Sequence, residues 1–274
     1  MKQAKIKWQH VWLIVVFILL YAPIFYLIFY SFSSGDNMNG FKSFTWQNYQ
    51  DLFADTRMIE IVLETLLIAI LSSLCATIIG TFGALGIYST KQRRLRNIIL
   101  SLNNILMVSP DVIIGASFLI FFTFLGLGLG FESVLLSHIA FSIPIVVLMV
   151  LPKLNEMRPA LVDAARDLGA TDWQVLSKVI LPYISSGIFA GFFMAFTYSL
   201  DDFAVTFFVT GNGFETLSVE IYSRARQGIS LEINALSALM FVFSLLLVGG
   251  YYLLNQRNQA HKAKRKQKMG APVK

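Results

Sequence analysis

The amino-acid sequence predicts an all-α, polytopic membrane protein: six transmembrane helices in one domain spanning residues 1–274, with a pair of short helices folded into a cytoplasmic loop. Three observations lead there. Hydrophobic residues make up 56% of the 274 and only 14% are charged, where soluble domains run near a quarter charged. The 24 Phe exceed what a soluble core of this size can hide, and a mean hydropathy of +0.65 makes lipid the solvent of most of the chain. Six apolar runs approach the roughly 20 residues that a helix needs to cross a hydrocarbon core of about 30 Å. None alternates in the manner of a barrel strand.

The first run, Val11–Phe32, is longer than the apolar region of a signal peptide and no Ala-x-Ala site follows it, so it reads as an uncleaved anchor. The second, Ile61–Tyr88, carries only Glu64 near its start. The third, Ile98–Leu125, carries Asp111 just after Pro110. The fourth, Val134–Leu151, is short and holds His138; the fifth, Tyr183–Thr210, holds Asp201 and Asp202; the sixth is Leu236–Leu254. Eighteen of the 22 Lys and Arg fall in the N-terminus, the second and fourth loops and the tail. By the positive-inside rule both termini are therefore cytoplasmic. The tail, residues 256–274, is strongly basic. Beside a membrane it reads as an anchor to anionic lipid heads rather than a nucleic-acid contact.

Catalytic chemistry is not expected. The single Cys, Cys75, allows no intramolecular disulfide, and His10, His138 and His261 stand too far apart for a local metal motif. Metalloprotease, nucleophile-elbow and phosphate-loop patterns are absent from the sequence. No solenoid repeat or inverted repeat of broken helices is visible.

The fourth loop, residues 152–182, is longer than most bundle connections and is patterned as folded structure. Pro159 suits a first helical turn, Gly169 a left-handed C-terminal cap, and Thr171 with Gln174 a capping box opening a second helix that Pro182 ends. Leu161, Ala165 and Leu168 share one face of the first helix; Trp173, Leu176 and Ile180 share one face of the second. Such an elbow either rests on the membrane surface or docks in a groove of a cytoplasmic partner.

The acids inside the runs need a reason to be there, because a carboxylate at the centre of a span costs roughly 2.5–3.5 kcal/mol on insertion scales. Along a helix Asp111 stands about 20 Å from Ile98, near mid-membrane, just after Pro110, which loosens the helix. Tyr198 precedes Asp201 and Asp202 by three and four residues and shares their face. A chain of net charge +6 with three Asp and no Lys or Arg inside its spans is arranged to pass cations. The structural alternative is that each acid is protonated or hydrogen-bonded to a neighbouring helix. Tyr198 is either a cation–π surface or plain packing. Span five also carries the small-residue stripe Gly187, Gly191, Ala195, suited to close packing inside one bundle or between subunits.

Asp163-Ala164-Ala165, three residues, Gly169, nine residues, then Val179-Ile180-Leu181-Pro182 resembles the EAA motif of ABC importer permeases, the MetI-like superfamily. Asp163 stands for the usual Glu and Val179 for the first Ile. The resemblance implies the permease fold of that superfamily, in which the elbow is a pair of coupling helices seated in a cleft of a separate ATPase. Asp163, Ala164 and Ala165 would lie at the contact, Gly169 would turn the chain, and Leu181 and Pro182 would close the motif. ATP and magnesium would then be bound by the partner and no cofactor by this chain.

Further stretches are similar to the second permease subunit of spermidine/putrescine importers in the bacterial inner membrane. They are Met107–Asp111, Ser199–Gly211 and Ile221–Leu236, with Phe44-Thr-Trp46-x-Asn48-Tyr49 as a minor match. What this implies is half of a translocation pore, with Asp111, Tyr198, Asp201 and Asp202 along the substrate pathway. The implied partners are a second, non-identical permease, a homodimeric ATPase and an extracytoplasmic polyamine-binding protein, which the external segment Gly211–Glu232 would meet. The alternatives are an ABC permease for another solute and, from a different class, a proton-coupled secondary cation transporter.

Overall fold

The computed structural model describes residues 8–35, 38, 40–211, 213–227, 231–246 and 249. Among them the chain is helical apart from its connections and one isolated antiparallel bridge, Ser33–Phe44. In chain order the helices are α1 (Trp8–Tyr30), α2 (Gln47–Ala54), α3 (Thr56–Ser89), α4 (Arg93–Val108), α5 (Asp111–Phe124) and α6 (Phe131–Glu156). They continue with α7 (Pro159–Asp167), α8 (Asp172–Val175), α9 (Leu181–Asp201), α10 (Ala204–Val209), α11 (Leu217–Gln227) and α12 (Leu231–Leu246). Among the described residues four stretches are long and apolar enough to cross a membrane: His10–Tyr30, Thr56–Ser89, Phe131–Glu156 and Asp172–Asp201. The bent pair α4 and α5 makes a fifth if it is one span. Of the sixth expected run, α12 covers the first part; its end at Leu254 and the basic tail lie outside the described residues.

Two of the expected spans are broken, and the cause is local. The third run, Ile98–Leu125, reads as one span loosened at Pro110; the break there is complete, and α4 and α5 meet at an angle of 105°. Pro110 disfavours helical backbone at the residue before it, and Ser109 is extended at φ −68°, ψ 139°. Asp111 therefore heads a helix rather than sitting midway along one. The fifth run was expected from Tyr183 to Thr210. Here α9 stops at Asp201, Asp202 turns extended at ψ 121°, and α10 restarts at Ala204.

The fourth run, by contrast, is longer than expected. α6 continues through Pro144 and Pro152 to Glu156, so the connection is shorter than residues 152–182. Within it Pro159 opens α7, and Gly169 adopts φ +80°. Gly169 N–H donates to Arg166 O and Ala170 N–H to Ala165 O, the paired bonds of a Schellman cap. Thr171 and Gln174 make the capping box, with Thr171 N to Gln174 Oε1 at 3.0 Å and Gln174 N to Thr171 Oγ1 at 3.3 Å. Pro182 does not end the second helix. A π-helical turn, Leu176–Ile180, carries α8 directly into α9. Leu181 N–H bonds back five residues to Leu176 O, so the ladder has already shifted register where Pro182 withholds its own donor.

The chain divides into two compact units, Met1–Thr56 with Arg224–Lys274, and Arg57–Ser223. In the first, Asn48 Nδ2 donates to Ser31 O (2.8 Å) and Ser33 O (2.9 Å), tying α2 to the carbonyls that end α1. Tyr49 Oη lies 2.8 Å from Ser31 Oγ, and Phe32, Phe44, Trp46 and Tyr49 pack ring on ring. These contacts are what the Phe44–Tyr49 segment builds.

In the second unit α6 is central. Val146, fully buried, meets Gly80 of α3 on one side and Gly191 of α9 on the other. The stripe Gly187, Gly191, Ala195 thus faces α6 of the same chain, and a Cβ at Gly187 would stand 2.9 Å from Met149 O. Replacing Gly187 with Leu is expected to push α9 off α6 at a cost of about 1–3 kcal/mol. The Gly-to-Leu gain in helix propensity, under about 1 kcal/mol, offsets only part of that. A lower unfolding temperature of the purified variant in detergent is the check.

Candidate functional site

Two places in the second unit gather the residues that the sequence singles out. The first lies where both broken helices break. Asp111 occupies the first turn of α5, where the unpaired N–H groups of the helix favour a carboxylate. Tyr198, on α9, donates its hydroxyl to Asp111 Oδ1 at 2.7 Å. Its ring stands edge-on to Phe141 with centroids 4.9 Å apart. Asp201, the last residue of α9, is exposed. Together with Asp202, Phe203 and Ala204 these residues line an open cleft of about 240 Å³, and among the described residues no Lys or Arg borders it.

All four expected pathway residues therefore meet at one cleft, although Asp111 opens α5 and stands 87 and more residues from the other three, which lie at the end of α9. Their states differ. The Tyr198 hydroxyl proton is committed to Asp111, so what it offers a bound cation is its oxygen lone pairs and its ring. Asp202 is buried, and its carboxylate accepts from Thr206 N (2.8 Å), Thr206 Oγ1 (2.7 Å) and Val205 N (3.4 Å). It satisfies the first-turn donors of α10 that would otherwise be orphaned. Asp201 and Asp111 remain as the carboxylates open to the cleft.

Behind Asp202 lies a group that sequence reasoning missed. His138 of α6 is fully buried, with Nδ1 2.7 Å from Ser199 Oγ and Nε2 2.9 Å from Thr206 Oγ1. Ser199 Oγ is in turn 3.0 Å from Ser72 Oγ on α3. The available signal was a lone His in the middle of an apolar run, which by itself indicates only that some partner must exist. Among the described residues no group of three or more His, Cys, Asp or Glu is arranged to hold a metal.

The second place is the elbow. Its corner at Gly169 is flanked by exposed apolar side chains: Leu161 is 45% exposed, Leu168 89% and Trp173 70%. Large apolar groups exposed at a polar corner suit either a membrane surface or a groove of a partner. Asp163 and Ala164 are exposed on α7 while Ala165 is half-buried. Val175 anchors the corner inward, and Leu181 and Pro182 begin α9. Arg166 and Asp172 bridge the two helices at 3.0 Å, an exposed pair of small energetic weight. In the segment expected to meet a binding protein, Arg57 pairs with Glu215 (3.1 Å) and Glu220 (3.5 Å).

Residues 76–259 match the family model described as the binding-protein-dependent transport system inner membrane component. The spermidine/putrescine transport system permease protein PotC of Haemophilus influenzae is 34% identical over 250 residues, covering 91% of this chain and 97% of that one. PotC of Escherichia coli K12 is 36% identical over 233 residues, 85% and 88% of the two chains. The putrescine permease PotI of the same strain is 34% identical over 239 residues, 85% of each. Among solved structures, a bacterial ABC transporter that imports the acidic polysaccharide alginate matches at a TM-score of 0.71 and 18% identity, over 91% of this chain and 94% of that one. The MetNI methionine ABC transporter in an inward-facing conformation matches at 0.61 and 20%, over 74% and 98%. At such identities these two speak to the fold.

Proposed function

The chain belongs to the family of binding-protein-dependent transport system inner membrane components, and from that premise we propose that it forms half of the pore of a polyamine importer. It is a multi-pass membrane permease of the ABC class, a transport component rather than an enzyme. The observation that carries the polyamine assignment is the cleft at the α9–α10 break. There two open carboxylates, Asp111 and Asp201, stand beside the Tyr198 ring, with no basic residue on the lining among the described residues. That is a surface for an extended polycation: each ammonium finds a carboxylate, and the methylene chain finds an aromatic face. The relatives' names concern spermidine and putrescine, molecules of that kind.

On this reading the elbow seats Leu161, Leu168 and Trp173 in a groove of a separate ATPase dimer. Asp163, Ala164, Ala165 and Gly169 stand at the contact and Leu181 and Pro182 at its edge. A second, non-identical permease completes the pore, and a binding protein delivers cargo on the face opposite the elbow. Both termini then lie on the elbow's side, the cytoplasm. ATP and magnesium belong to the ATPase.

The test is to purify the tagged chain with everything that accompanies it and to reconstitute the assembly in liposomes. A second permease and an ATPase are expected to co-purify, and labelled spermidine or putrescine to enter only with ATP present. Import that persists without ATP and collapses with the proton gradient would overturn the reading in favour of a secondary transporter.

A further inference from the structure

The break between α9 and α10 is held by a chain of hydrogen bonds that crosses four helices, and its proton order can be worked out. Thr206 has one hydroxyl proton and gives it to Asp202 Oδ2 at 2.7 Å. Its oxygen can then only accept from His138 Nε2 at 2.9 Å, which places the ring proton on Nε2. On a neutral ring Nδ1 is left to accept the Ser199 hydroxyl at 2.7 Å, and Ser72 Oγ, 3.0 Å from Ser199 Oγ, has its one proton shared between Ser199 and Ala69 O at 3.3 Å. Every donor in the series has an acceptor, and every member is buried: Ser72, His138 and Thr206 completely, Ser199 and Asp202 nearly so. His138 Nε2 stands 3.6 Å from Asp202 Oδ2, beyond hydrogen-bond reach, so the link between ring and carboxylate runs through Thr206.

The arrangement exceeds what packing alone asks for. A buried imidazole needs any two partners; here both lie on the two sides of one helix break, Ser199 before it and Thr206 after it. Asp202, the hinge residue itself, takes Thr206 as its main partner. The ring of Phe141, 4.9 Å from His138 and 4.9 Å from Tyr198, backs the cleft from the same side.

We propose that His138 is the positioning residue of the cleft. It bridges the break, keeps Asp202 turned inward as the cap of α10, and thereby leaves Asp201 and Asp111 as the carboxylates that meet a cation. The cargo clause rests on the polyamine reading; the positioning clause does not.

The experiment uses the assembled complex in liposomes with His138→Leu, His138→Gln, Thr206→Val and Thr206→Ser. One readout is cargo imported per ATP hydrolysed. The other, in a Cys75→Ser background, is the rate at which the thiol placed by Asp201→Cys reacts with a trimethylammonium methanethiosulfonate. His138→Leu and Thr206→Val are each expected to lower the import ratio about tenfold and to change the thiol rate at least about threefold. Their double variant should be no worse than the poorer single one, because they break the same chain. Thr206→Ser, and His138→Gln with an amide that donates and accepts at similar reach, should stay within about twofold of the parent.

Losses that multiply in the double variant, or an unchanged ratio and thiol rate in Thr206→Val, would overturn the proposal. Thr206→Val keeps the size of the side chain and the Thr206 N–H bond to Asp202, so unchanged import and thiol rate in it still overturn the proposal if His138→Leu fails to assemble. Failure of the conservative pair alongside the disruptive pair would also overturn it, by making the cluster merely structural. If the parent complex imports no polyamine, the cargo reading falls while the thiol rates still decide the role of His138.

Discussion

Replacing Asp201 with Asn is expected to cut polyamine import roughly ten- to a hundredfold while the complex assembles and its unfolding temperature holds. The magnitude follows from the hydrogen bond of an ammonium to a carboxylate, worth about 1.5–3 kcal/mol net, with 1.36 kcal/mol per tenfold. The specificity follows from exposure. Asp201 ends α9 with its side chain open to the cleft, so its charge supports cargo and little else. Asp111→Asn should lose import as well, and in addition change the Tyr198 contact, since an amide that donates in place of the carboxylate no longer obliges the tyrosine hydroxyl to point at it. Asp202→Asn separates the two roles. Its carboxylate carries the first turn of α10 and the Thr206 hydroxyl. Its loss should lower the unfolding temperature along with import, because it leaves a buried donor unpaired at about 1–3 kcal/mol. Uptake assays on the three variants, each beside a melting curve, make the check. Unchanged import in Asp201→Asn would remove that residue from the pathway.

How much of this was legible in the sequence depends on the range of the interaction concerned. The elbow was readable almost residue by residue, because its determinants are local: Pro159 at a first turn, Gly169 with its positive φ, and Thr171 with Gln174 closing a box across three residues. The misplaced end at Pro182 shows the limit of local rules. Proline disrupts an α-helical ladder, but a π turn placed before it removes the conflict. The acids were found because charge in an apolar run is conspicuous. Their meeting was not derivable, since Asp111 and Tyr198 lie 87 residues apart and only the packing of α5 and α9 brings them together. Pro110 announces a loosened helix beside Asp111, but not a full break that makes Asp111 the head of a new helix. His138 was visible as an anomaly without a partner. Its partners are serines and a threonine, residue types too common in helix interfaces to be picked out by spacing alone. The small-residue stripe left open whether it faces the same chain or another, and Val146 and Met149 decide for the same chain.

At the elbow, Gly169→Val is expected to leave the complex in the membrane with ATP hydrolysis largely intact and import down about tenfold or more. The effect is one of backbone alone. Gly169 sits at φ +80° and nothing lies within 4 Å of where a Cβ would stand, so no side-chain clash is available to unfold the domain. What a β-branched residue introduces is left-handed strain of roughly 1–3 kcal/mol. The chain can relieve it only by opening the Schellman bonds of Gly169 and Ala170 to α7. That reorients α7 relative to α8 and separates Leu161 and Leu168 from Trp173, the three exposed apolar groups that flank the corner. A partner's groove would then grip one helix without the other. ATP hydrolysis needs only that the ATPase be held, whereas transport needs its motion delivered through a rigid corner into α9, which continues from α8 without interruption. Gly169→Asn is the control, since Asn tolerates the left-handed region at small cost, and it should import within about twofold of the parent. Gly169→Ala should fall between. The order Gly, Asn, Ala, Val in cargo moved per ATP, at equal expression, is the result that ties import to the φ angle at this one position. Normal import by the Val variant would mean that the corner transmits nothing.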